Sequence, residues 1–162
     1  MTKQETYDFL KQSGVWFEVT EHEAVFTMEA LMQVEVPYPE ADAKNLFVRD
    51  DKTRNYYLIT VKGDKRVDLK EFRRQHGTRP LSFASADDLL HMLHLTPGSV
   101  TPLGLLSDES ASVQFCLDEE FLQPPAIVGV HPNDNTATVW LKAEDLMALI
   151  RAHGNPVTTV KL

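Results

Sequence analysis

Three stretches of this chain hold residue types that can grip a polar, electron-rich group. They are Lys44-Asn45 at the head of an apolar run, the loop Gly98-Ser99-Val100-Thr101-Pro102, and His131-Pro132-Asn133-Asp134-Asn135 between two apolar runs. A lysine that opens a strand is ordinarily a solvated edge charge. Held over a cleft at the strand mouth, its ammonium is desolvated and pulls harder on a phosphate or carbonyl oxygen. A glycine-to-proline loop is ordinarily a turn. It can also serve chemistry: glycine admits a ligand to the backbone, proline stiffens the far end as Pro97 does the near one, and the amides between can face a carbonyl or developing oxyanion. A turn histidine such as His131 is, by residue type, an exposed polar side chain.

Other reactive residue types fall into ordinary roles. His91 and His94 stand three apart on a predicted helix, but no cysteine or carboxylate constellation accompanies them, so no metal site is expected. Cys116 lies in an alternating apolar run and reads as an inert core thiol. No serine sits in a nucleophile-elbow context. Asp118, Glu119 and Glu120 read as the solvated start of a short turn or helix.

The elements that must position these residues can be placed from caps and periodicity. Thr2-x-x-Glu5 is a capping box for a helix that Ser13-Gly14 stops. Residues 16–20 read as a strand, and Thr27 is placed to cap a short helix through residue 33, with a loop at Pro37-Tyr38-Pro39. Residues 46–48 and 56–61 flank the polar turn at 50–53 as a hairpin. Asp68-x-x-Glu71 and Ser85-x-x-Asp88 start two more helices. Residues 113–117 alternate as a strand, 126–130 and 136–140 form a second hairpin, 143–153 an amphipathic helix stopped by Gly154, and 157–162 a last strand. The fold class is α/β of the α+β type: a single domain over residues 1–162, with a mixed, largely antiparallel sheet and helices packed on it. The order is too irregular for a Rossmann domain, and no glycine-rich phosphate fingerprint follows a predicted strand.

The chain has 162 residues and a net charge of −8. That length fits one domain with a genuine core. No apolar run approaches the roughly 18 residues of a membrane span. The start lacks signal-peptide character and the single cysteine permits no internal disulfide, so a cytoplasmic protein is expected. The acidic balance argues against DNA and against non-specific nucleic-acid binding. Charge is uneven, however: residues 62–79 carry seven basic side chains against three acidic ones, +4, which leaves −12 on the rest. The segment reads either as a solvated helix face or as a landing strip for a polyanion.

In order and separation, the three stretches resemble the YbaK/prolyl-tRNA synthetase-associated editing-domain superfamily. Within it they are similar to the free-standing deacylases that remove alanine from mischarged proline tRNA. The likeness continues through Glu21-His22, Phe26-Thr27, Lys44-Asn45-Leu46-Phe47, the run from Asp64 to Lys70, Leu81-Ser82-Phe83-Ala84 and Asn135-Thr136. It implies a YbaK-like fold and a trans-editing hydrolase of alanyl-tRNA(Pro). Lys44 and Gly98 would be the catalytic residues. Asn45, Ser99, Val100, Thr101, Pro102, His131, His22 and Met28 would bind substrate. His131 would hold the α-amino group or a water, His22 would be a structural hydrogen-bonder, and Met28, Leu31 and Met32 a mobile pocket wall. The tRNA would dock on Lys65, Arg66, Arg73 and Arg74. No cofactor or metal is implied, and the partners would be the mischarged tRNA and prolyl-tRNA synthetase. Two alternatives stay open: a deacylase for another small residue, serine or cysteine, and a non-catalytic amino-acid- or synthetase-binding module.

Overall fold

The structure, a computed structural model, describes residues 1–24, 29 and 35–162. The expected helix through residue 33, with Met28, Leu31 and Met32, lies outside these described residues apart from Glu29. Helix α1 (Lys3–Gln12) opens on the expected reciprocal cap between Thr2 and Glu5. Helices α2 (Leu69–His76) and α3 (Ala86–Leu93) are capped by Asp68 and Ser85. Helix α4 (Ala143–His153) ends at Gly154, whose φ of 118° belongs to the left-handed region that glycine tolerates.

Among the described residues eight strands form two sheets rather than the single one expected. Strands β2 (Ala43–Asp50), β3 (Tyr56–Lys62), β4 (Leu81–Phe83), β5 (Gln114–Asp118) and β8 (Val157–Val160) make a mixed sheet in the order β4-β2-β3-β5-β8. Its β2–β3 hairpin and β2–β4 pair are antiparallel, whereas β3–β5 and β5–β8 are parallel. Strands β1 (Phe17–Glu21), β7 (Ala137–Lys142) and β6 (Ile127–Val130) form a separate antiparallel sheet. Strand β3 explains the division. Residues 57–61 are all buried, as in strands covered on both faces, so a second layer must lie over each face. Over one face, Phe47, Leu58, Phe115 and Leu117 pack with Val128, Val139 and Leu141 of the smaller sheet and Leu146 and Ile150 of α4. On the other, Val48, Ile59, Val61 and Cys116 pack with Phe72 of α2.

Besides this packing, the sheets are joined at one strand end, where Asp42 bridges Gly129. A side chain at Gly129 is impossible without rearrangement, because its Cβ would lie 2.3 Å from the Trp140 ring. Trp140 is itself fully buried and donates to Thr20 Oγ1 at 2.9 Å. The expectation of a solvated Asp118 is corrected: it is fully buried and pairs with Lys65 at 2.9 Å. It also accepts from the amides of Lys62 and Glu120, which satisfies a charge the interior would not otherwise tolerate. Among the described residues no helix is long and apolar enough to cross a membrane.

Candidate active site

Strand alternation separates Lys44 from Asn45. Residues 43, 45 and 47 share one face of β2, and 44, 46 and 48 the other. Asn45 lies opposite Thr60, which is fully buried and donates from Oγ1 to Asn45 Oδ1 at 2.6 Å. The bond fixes which end of the amide is the acceptor and leaves the Nδ2 hydrogens as donors. Lys44, half-buried on the opposite face, donates from Nζ to the carbonyl of Lys65. One of its three ammonium donors is thereby used.

The loop after α3 is held from below. Short 3-10 turns at Pro97–Ser99 and Pro102–Ser107 bracket Val100 and Thr101. Thr101, fully buried, donates from Oγ1 to the carbonyl of His131 at 2.6 Å and accepts from the amide of Leu103 at 3.3 Å. Loop and histidine are therefore one unit. The Ser99 amide is committed to the Thr96 carbonyl at 2.9 Å, so the Gly98, Val100 and Thr101 amides are the loop's remaining candidate donors. Asp108 steadies the end of the second turn by accepting from the Val113 amide and from Asn155 Nδ2, both at 3.0 Å.

His131 is not the exposed turn residue that its type suggests. Its Nδ1 lies 2.9 Å from the Ala137 carbonyl, which can only accept, so Nδ1 carries the proton and Nε2 is left as an acceptor. Burial holds its pKa below the ordinary histidine value, and the bond to Ala137 opposes that only in part. The ring is neutral at physiological pH. His22 stands edge-on to it with ring centres 6.3 Å apart. It is fixed by the Glu23 carbonyl at 2.7 Å and the Thr138 hydroxyl at 2.9 Å.

Two recesses meet at Asn45. A cleft of about 220 Å³ is lined by Asn45, Phe47, Phe83, Leu89, Pro97 and Val100. A recess of about 20 Å³ is lined by Asp42, Asn45, Gly129, His131 and Thr138. Asp42 was not among the residues singled out from sequence. Its Oδ1 is buried with no hydrogen-bond partner among the described residues. Burial, and then the Glu40 carboxylate, push its carboxyl up to about 6. The sequence signal was an acid two positions before Lys44. Thr60 was also missed: a hairpin symmetric about the expected 50–53 turn would set Leu58 opposite Asn45, and the observed register is shifted from it so that Thr60 stands there.

The remaining sequence candidates lie elsewhere or outside the description. Met28 is not among the described residues. Lys65 pairs with Asp118 and Glu120, and Arg74 with Glu71, whereas Arg66 and Arg73 are exposed and form no ion pair among the described residues. His91 binds the Asp87 carbonyl at 2.8 Å, and His94 leaves the helix in the left-handed region, which breaks the spacing that suggested a metal pair. Cys116 is buried, and desolvation pushes its thiol up to about 12.

An asparagine amide, a neutral imidazole acceptor and a loop of backbone amides are groups whose chemistry can serve attack on a carbonyl. The sequence profile described as "Aminoacyl-tRNA editing domain" matches residues 22–149, and the chain belongs to that family. It is an aminoacyl-tRNA editing deacylase, a hydrolase of the ester that joins an amino acid to tRNA. It is 39% identical over 160 residues to the "Prolyl-tRNA editing protein ProX" of Acetoanaerobium sticklandii, covering 99% of this chain and 97% of that one. It is 38% identical over 141 residues to the "Prolyl-tRNA synthetase associated domain-containing protein 1" of Mus musculus, covering 85% and 83%. A solved structure described as a candidate trans-editing enzyme for prolyl tRNA synthetase shares the fold, with a TM-score of 0.70 and 23% identity over 100% of this chain and 98% of that one.

Proposed function

We propose that the ester hydrolysed is that of alanine mischarged onto proline tRNA, the product of an error by prolyl-tRNA synthetase. A synthetase pocket shaped for proline excludes alanine poorly, because missing methylenes are worth only about 1–3 kcal/mol each. A second and smaller sieve corrects that. The observation that supports the reading is the Thr60–Asn45 bond, which aims an amide at the meeting point of the narrow recess and the wider cleft.

In this reading the wider cleft takes the terminal adenosine, whose ring stacks on Phe83 at the rim. Water adds to the ester carbonyl carbon. Asn45 Nδ2 and the Gly98, Val100 and Thr101 amides receive the oxyanion. The carbon–oxygen bond to the ribose then breaks, and the departing ribose oxygen takes up a proton released by the water, relayed by the neighbouring ribose hydroxyl. His131 Nε2 accepts from the α-amino group. Lys44, on the far face of the strand, uses its remaining donors on the terminal phosphate rather than on the carbonyl. Deacylation of Ala-, Ser-, Cys- and Pro-tRNA(Pro) by the purified protein tests this. Alanyl ester should be cleaved at least tenfold faster than each of the others. Preference for seryl or cysteinyl ester would reassign the substrate, and cleavage of none would leave a binding module.

A further inference from the structure

We infer that Asp42 is the counter-charge that recognises the α-ammonium of the aminoacyl ester, an assignment that rests on the deacylase reading. The narrow recess is lined by two residues with an acceptor to offer, Asp42, whose Oδ1 has no partner among the described residues, and His131, whose Nε2 lacks a proton. A carboxylate oxygen buried without a donor is costly, and a protein retains one where a ligand supplies the donor. An α-ammonium brings three donors and a positive charge, and so answers both acceptors at once. The recess, at about 20 Å³, holds one water-sized group, which is the size of an ammonium head.

The protein's own cations do not meet this need. Lys62 lines the outer side of Asp42, but its ammonium is held by the Glu40 carbonyl at 2.5 Å and lies 4.8 Å over the Phe121 ring. Lys44 is engaged by the Lys65 carbonyl. The outer cleft on the far side of Asp42 is also lined by Glu40, Asp64 and Glu120, a field that draws a cation inward and turns phosphates away. The amine is therefore guided to one side of Asn45 and the tRNA backbone to the other.

The test compares alanyl-tRNA(Pro) with N-acetylalanyl-tRNA(Pro), which keeps the ester and lacks the charge. Single-turnover rates are measured for the wild type, Asp42→Asn and, as a smaller replacement should the first fail to fold, Asp42→Ser. The wild type should cleave the free-amine ester at least tenfold faster. Either variant should lose at least tenfold on that ester and keep its rate on the acetylated one. A variant that retains the free-amine rate, or that slows equally on both esters, overturns the assignment. Equal wild-type rates on the two esters overturn it as well and leave the deacylase reading standing. A wild type that cleaves neither removes that reading and this assignment with it.

Discussion

Replacing Asn45 by alanine deletes the donor aimed at the ester oxygen and leaves the Thr60 hydroxyl to find water, so the loss should fall on the chemical step. The expected effect is a drop in kcat of about 10²–10³ with little change in KM, the range for a single oxyanion donor. Thr60→Val keeps the amide but frees it to rotate, and should cost roughly tenfold by the same argument about positioning. Wild-type kcat in Asn45→Ala would remove the amide from the mechanism. Asp42 gives a second expectation, read as stability. Its carboxyl is raised to about 6 in the folded protein, so the ionised form is disfavoured there. The sign follows: the folded state binds the proton more tightly, and stability is lost as pH rises from near 4 through 6. Glu40, Asp64, Glu120, Lys62 and His131 line the two recesses on either side of it and hold the environment in which it titrates. Asp42→Asn should therefore stabilise the fold at pH 7.5 by about 1 kcal/mol, once solvent screening of a half-exposed group is allowed for, and this should be read as a higher Tm. The gain should shrink as the pH falls toward 4. A variant less stable than wild type at pH 7.5 would mean that Asp42 has a cationic partner in the free protein.

The loop from Pro97 to Pro102 and the turn at His131 act as one element because Thr101 joins them. Thr101→Val keeps the volume and deletes the hydroxyl, leaving the His131 carbonyl and the Leu103 amide without it. A loss of about 1–3 kcal/mol in unfolding free energy is expected from those groups. A fall in kcat should accompany it, because both the loop amides and the imidazole lose their mutual position. Thr101→Ser should restore both. A Thr101→Val protein with normal kcat would show that loop and histidine need no coupling. This scale also separates what residues announce from what they do not. Helix starts at Thr2, Asp68 and Ser85 and the helix stop at Gly154 were legible, since each is set by a local cap. The hairpins were legible because alternation and turn residues are local too. The split into two sheets was not, because it is decided by burial of β3 on both faces and by Trp140 lying over Gly129. Strand β4 has three residues, too few for any period to show. In the site, Lys44 and Asn45 were legible as a pair by likeness to a family. Their assignment to opposite faces follows from strand alternation, whereas Thr60 as the partner of Asn45 depends on a hairpin register that the 50–53 turn does not place. Asp42 was not legible, since only packing reveals that its Oδ1 is buried with no partner among the described residues.

Among the described residues, acidic and basic side chains gather in different places. The acidic outer cleft lies beside Asp42, whereas α2 and its preceding turn, with the exposed Arg66, Lys70 and Arg73, pack over the face from which Lys44 projects. Lys44, bonded to the Lys65 carbonyl, is the inner end of that basic track. The cations are not equivalent. Lys65 holds the fully buried Asp118, so Lys65→Ala should destabilise the fold by ~3 kcal/mol through an uncompensated buried charge, read as a lower Tm. Arg66 and Arg73 form no ion pair among the described residues and can meet a polyanion without breaking one. The double substitution Arg66→Glu and Arg73→Glu should leave Tm nearly unchanged and raise the KM for aminoacyl-tRNA by at least tenfold. It should also flatten the dependence of KM on salt, because fewer counterions are released on binding. A minimal aminoacyl-adenosine ester reaches the cleft without crossing α2, so its hydrolysis should be unaffected. Equal damage to both substrates would place the two arginines in the fold rather than on the tRNA path. An unchanged KM and salt slope with full-length tRNA would make the segment a solvated helix face and send the tRNA elsewhere on an otherwise acidic protein.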